Sequence, residues 1–143
     1  MAADRTANTV WEGDLPKGNG TLTMKSSGIG GELPVTWASR TERSDGKTSP
    51  EELIAAAHAG CFAMALSLVL GENKTPPDRV TVNGACTLDE LEGVPRITTL
   101  ELTVCTQVPA IEAAQLERMA EREGDLRPIS NALRGNVAIT VRS

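Results

Sequence analysis

The chain predicts an α+β fold, and three observations carry that expectation. Residues 53–70 form an uncharged run of eighteen, LIAAAHAGCFAMALSLVL, bracketed by helix start and stop signals. Shorter stretches rich in Val, Thr and Ile, alternating with period two, lie on both sides of it. No repeat or linker-like segment divides the 143 residues, so a single domain over 1–143 is expected.

The elements follow in order. Residues 9–14 read as a strand, Gly18-Asn19-Gly20 as a turn, and residues 21–25 as a second strand. A third run covers 33–37, completing an antiparallel meander. Gly28-Ile29-Gly30-Gly31 opens no helix, so it is not a phosphate cradle. Residues 40–46 read as a polar loop. Thr48-Ser49-Pro50-Glu51-Glu52 then starts the long helix, with Pro in its first turn and acids behind it. Gly71 stands where a helix stop is expected. Residues 80–88 and 96–108 form a hairpin pattern. Pro109 leads into a second helix, with Ile111, Ala114, Leu116 and Met119 as its apolar stripe and Gly124 at its end. A short helical piece over 128–133 and a final edge strand over 137–142 complete the chain.

The long helix has no polar face and is therefore expected to be buried on every side. Its length also raises a membrane span. Six alanines with His58, Gly60 and Ser67 lower its hydrophobicity, the flanks carry Glu51, Glu52, Glu72 and Lys74, and no Trp or Tyr belt is present. A core helix is expected, with no membrane partner. Trp11, Trp37 and Phe62 are the only aromatics, so the core must be aliphatic, and sharing its surface with a second subunit would enlarge it. A net charge of -5 argues against nucleic acid. Three widely spaced cysteines, Cys61, Cys86 and Cys105, form neither a disulfide scaffold nor a zinc site. With no apolar leader at Met1-Ala2-Ala3-Asp4-Arg5, a reducing cytoplasm is expected.

Residues 49–67, SPEELIAAAHAGCFAMALS, resemble the signature of the osmotically inducible protein C (OsmC) family, which includes the organic hydroperoxide resistance (Ohr) proteins. Trp11-Glu12-Gly13-Asp14 and Gly18-Asn19-Gly20 resemble the same family's N-terminal hairpin, and the likeness runs from Thr9 to the end. The resemblance implies an intertwined α+β homodimer of antiparallel sheets around a long buried helix. It also implies a thiol peroxidase that takes organic hydroperoxides as substrate and an external thiol as reductant. It places the peroxidatic cysteine at Cys61, a thiolate-holding arginine at Arg40 and its positioning glutamate at Glu51. The Arg40-to-helix loop is one residue longer than is usual in the family, which leaves Arg43 as the alternative arginine. No metal, flavin or nucleotide cofactor is implied.

Physical chemistry gives these roles independent sense. The thiolate, not the thiol, attacks the peroxide bond. A guanidinium never deprotonates, and its fork can meet both sulfur and peroxide oxygens. An apolar surround favours an alkyl hydroperoxide over hydrogen peroxide. Glu51 and Cys61 are ten residues apart, hence ~15 Å along one helix and ~80° around it. They can meet if two copies of the helix pack antiparallel about a two-fold axis, crossing near Ala55-Ala56-Ala57. In the bland alternative Glu51 is only a favourable first-turn acid.

The chain departs from the family at Leu126-Arg127-Pro128-Ile129-Ser130, where Arg127 occupies the place of the usual second cysteine. Three outcomes stay open: one-cysteine turnover with an outside thiol, resolution by Cys86 or Cys105, or a degenerate member that binds an apolar small ligand without turnover. Both spare cysteines fall in strand patterns, where burial as structural residues is expected. An Arg127 turned inward would add positive charge beside Cys61. His58, three residues before Cys61, is a candidate activator or a buried core histidine. Trp11 and Trp37 read as packing residues, and Met64 and Met119 as core stripes.

Overall fold

The computed structural model describes residues 2–108, 115, 118–119 and 128–142. It forms two compact units, Met1–Leu53 and Ile54–Ser143.

The first unit is the expected meander. Strands β1 (Ala7–Glu12), β2 (Asn19–Met24) and β3 (Glu32–Val35) pair antiparallel in chain order. Gly20 faces Trp11 across the β1–β2 pair. A Cβ there would stand 2.7 Å from the Trp11 ring and 2.9 Å from Val35, so only glycine lets the indole lie over the strand. Gly28, Gly30 and Gly31 all take positive φ in the connection to β3 and open no helix.

The next segment differs from the expected loop. Trp37–Thr41 is a short helix, α1, and it carries Arg40. Its start is a capping box: Thr36 Oγ1 accepts from the Ser39 N–H at 3.0 Å, and Ser39 Oγ accepts from the Thr36 N–H at 2.9 Å. Side chains thus satisfy the backbone donors of a helix too short to sustain itself.

Helix α2 (Pro50–Glu72) begins in the first unit and runs on as the body of the second. Ser49 Oγ accepts from the Glu52 N–H at 3.2 Å, the bond expected of an N-cap. The helix does not stop at Gly71. The left-handed residue is Lys74, with φ 62, and the Lys74 and Thr75 N–H groups close back on Gly71 and Leu70 carbonyls at 3.0 and 2.9 Å.

Strands β4 (Arg79–Leu91) and β5 (Val94–Gln107) form the long hairpin, turning through Glu92 and Gly93, both at positive φ. After α3 (Pro128–Leu133), β6 (Ala138–Arg142) joins the open edge of β5 in parallel, so this sheet is mixed rather than wholly antiparallel. Most of the expected second helix, and Arg127, lie outside the described residues. Within it Gln115, Arg118 and Met119 are helical, with Met119 buried and Arg118 exposed.

The core of the second unit joins Phe62, Leu66 and Leu70 to Leu102, Val104 and Met119, with Ala59, Val80 and Val82 against them. Each fully buried large side chain contributes ~1.5–3 kcal/mol. Gly84 of β4 admits the helix, since a Cβ there would lie 2.8 Å from the Ala55 carbonyl oxygen. Within a single chain, burial reaches only one face of α2. His58, Phe62, Leu66 and Leu70 are fully buried, but Met64 is 76% and Leu68 57% exposed. With Ala56 and Gly60, also exposed, they make an apolar row along the opposite face. The physical reason is geometric: one sheet can cover only one face of a helix.

Candidate active site

The first unit brings Arg40 and Glu51 together. Arg40 Nε lies 3.1 and 3.2 Å from the two Glu51 carboxylate oxygens, and Nη2 donates to Oε1 at 2.8 Å. This is the side-on, charge-assisted pairing that suits a planar fork. The Glu51 side chain is 8% exposed and Arg40 32%, so the carboxylate is the buried partner and the guanidinium reaches outward. Glu51 also sits in the first turn of α2, where free N–H groups favour a negative charge. Arg43, the alternative arginine, is instead exposed on the loop after α1, beside Ser44 and Lys47.

Residues given no role at the site by the sequence reading surround this pair. Ser39, buried, places Oγ 2.9 Å from both the Thr36 and Thr48 carbonyls, which share its one O–H, and so ties α1 to the segment leading into α2. The Thr48 N–H donates to the Pro34 carbonyl at 2.9 Å, and Thr48 Oγ1 to Glu52 at 2.7 Å. Trp37 lies under Arg40, with Cζ 5.8 Å from the ring centroid. The Thr36-x-x-Ser39 spacing was the available sequence signal. It lacks the Glu or Gln that usually marks a capping box.

In the second unit Cys61 is half-buried on α2. Helical spacing surrounds it with Ile54, Ala57, His58, Met64, Ala65 and Leu68, all apolar except His58. It stands where the core face meets the exposed row, a position that leaves a sulfur reachable yet poorly hydrated. His58 belongs to the fully buried row with Phe62 and Leu66. Cys86 alternates with Val82 and Gly84 on the helix-facing side of β4, half-buried. Cys105 is exposed on β5, on the opposite face from buried Leu102 and Val104, and so is not the buried structural residue expected.

A model of the family described as OsmC-like protein matches residues 43–142. The chain belongs to that family. This OsmC-like chain is 34% identical over 139 residues to "Peroxiredoxin OsmC" of Escherichia coli (strain K12), covering 97% of this chain and 96% of the relative. It is 32% identical over 95 residues to the organic hydroperoxide resistance protein of Xanthomonas axonopodis pv. citri, covering 66% and 65%. The crystal structure of organic hydroperoxide resistance protein OhrB of Bacillus subtilis superposes with a TM-score of 0.76 at 25% identity, over 96% of each chain. Glu51 and Cys61 fall inside the family match, and Arg40 lies three residues ahead of it.

Proposed function

We propose that this OsmC-like chain is a thiol-dependent peroxidase that reduces organic hydroperoxides through Cys61 in stress defence. The names of its relatives, a peroxiredoxin and organic hydroperoxide resistance proteins, support that reading. The observation that carries the site assignment is the Arg40–Glu51 pair, since it holds a permanent cation at the start of the helix that bears the cysteine. Among the described residues Nη1 of Arg40 has no protein partner, which leaves it to meet a sulfur anion and a peroxide oxygen.

In the proposed cycle the Cys61 thiolate attacks the terminal peroxide oxygen. The O–O bond breaks, the alkoxide takes up a proton to leave as an alcohol, and Cys61 becomes a sulfenic acid. An external thiol then condenses with the sulfenic acid, releasing water and forming a mixed disulfide. A second thiol attacks that bond, restores Cys61 and leaves as the oxidised reductant. The one-cysteine route follows from Arg127 standing where the family's second cysteine is usual. It also suits the placement of Cys105, which faces away from α2 across the sheet.

The reading includes a cytoplasmic homodimer. The exposed apolar row of α2 supports it, because a second copy of the same helix would cover that row. Ten residues of α2 separate Glu51 from Cys61, so the Arg40–Glu51 pair of one copy would serve Cys61 of the other.

The test adds tert-butyl hydroperoxide to the pure protein. Intact mass is expected to show one oxygen gained at Cys61, and dithiothreitol or dihydrolipoamide to support repeated turnover. Oxidation without turnover would favour the degenerate, ligand-binding alternative that the missing second cysteine suggests. Absence of both would remove the enzyme reading.

A further inference from the structure

We propose that Trp37 is a positioning residue for Arg40, an inference that rests on the peroxidase reading above. Two restraints define the pose of a guanidinium: what grips its edge and what lies against its face. The Glu51 carboxylate takes the Nε–Nη2 edge. That grip fixes the arginine within its plane and leaves a rotation about the axis joining the two groups. The indole of Trp37 opposes that rotation, with Cζ 5.8 Å from the ring centroid and over its face. A cation attracted to the ring's negative face is held over it.

The sequence builds this contact locally. Trp37 and Arg40 are three apart on α1, hence on one face of a single turn. The Thr36–Ser39 capping box holds that turn helical, and the Ser39 bond to Thr48 anchors it near the start of α2. Trp37 is half-buried, and among the described residues of its unit Val35 is the only buried hydrophobic side chain. With the edge held by Glu51 and the face by Trp37, the Nη1 donors keep one direction. Trp37 touches neither sulfur nor peroxide in this scheme. It acts through Arg40.

The experiment compares Trp37→Phe and Trp37→Leu with the parent protein, reading tert-butyl hydroperoxide turnover and the rate of Cys61 alkylation by iodoacetamide at neutral pH. Trp37→Leu is expected to lower both by roughly threefold to thirtyfold, the range of one cation–π contact, while Trp37→Phe restores most of the loss. A loss that Phe does not restore, or no loss with Leu, overturns the inference and leaves the peroxidase reading intact. A second measurement does not depend on catalysis. In a Trp11→Phe background Trp37 is the only indole, and Arg40→Met is expected to shift its emission. An unchanged spectrum overturns the inference. Failure of turnover in the parent protein, with the spectral shift present, would count against the function and not against the contact.

Discussion

Burying a charged group is costly unless it is paired, and the buried Glu51 carboxylate is paired by Arg40. Removing Arg40 therefore has two consequences of different size. Arg40→Met leaves an uncompensated carboxylate, at a cost of about 2 kcal/mol, below the ~3–5 of a fully enclosed pair because the guanidinium is partly exposed. The larger effect is on chemistry: loss of a preorganised donor to a developing oxyanion lowers turnover ~10²–10³-fold. Arg40→Lys keeps the charge but lacks the fork and is expected to recover only a small part of it. Turnover assays with thermal melts separate the two effects. Gly84 belongs to the same scale. A methyl there must enter a gap of 2.8 Å to the Ala55 carbonyl oxygen, and the rigid atoms on both sides are backbone. Gly84→Ala is expected to cost about 1–3 kcal/mol, read as a melting point lower by several degrees.

At the scale of elements, the long helix and the β4–β5 hairpin were legible because each repeats one pattern over many residues. The sequence placed Cys61 on α2 and Glu51 in its first turn for the same reason. Helix α1 was not legible: five residues carry no period, and its cap uses Ser39 in place of an acid. That single omission hid the place of Ser39, which bonds Thr48, and of Trp37, which lies against Arg40. Which face of α2 its own sheet covers was not legible, because a helix apolar all round carries no stripe to mark it. Gly71 misled as a stop, since glycine marks an end only where the backbone needs positive φ, and Lys74 takes that conformation here. Ser39 gives the element-scale test. Ser39→Ala removes the bond to Thr48 and half the capping box, so α1 should fray. A stability loss of ~1 kcal/mol is expected, with a fall in turnover that Ser39→Thr partly restores.

At the scale of the whole molecule, the exposed row of Ala56, Gly60, Met64 and Leu68 is the feature that the proposed dimer rests on. A continuous apolar strip on the helix that carries Cys61 is costly to leave in water. If a second copy covers that strip, as proposed, Met64→Lys places a charge in the contact, and sedimentation is expected to show monomers together with loss of turnover. A sharper expectation follows from shared sites. Arg40 and Glu51 pair within one chain, whereas ten residues of helix separate Glu51 from Cys61. If each site joins the pair of one copy to the sulfur of the other, then Cys61→Ser and Glu51→Gln proteins are each inactive alone but complement when mixed. In a mixed dimer one site carries both lesions and the other carries neither. Random exchange makes about half the dimers mixed, each with one intact site of two, so activity should return to about one quarter of the parent value. If each chain instead builds its own site, every site in the mixture keeps one lesion and no activity returns.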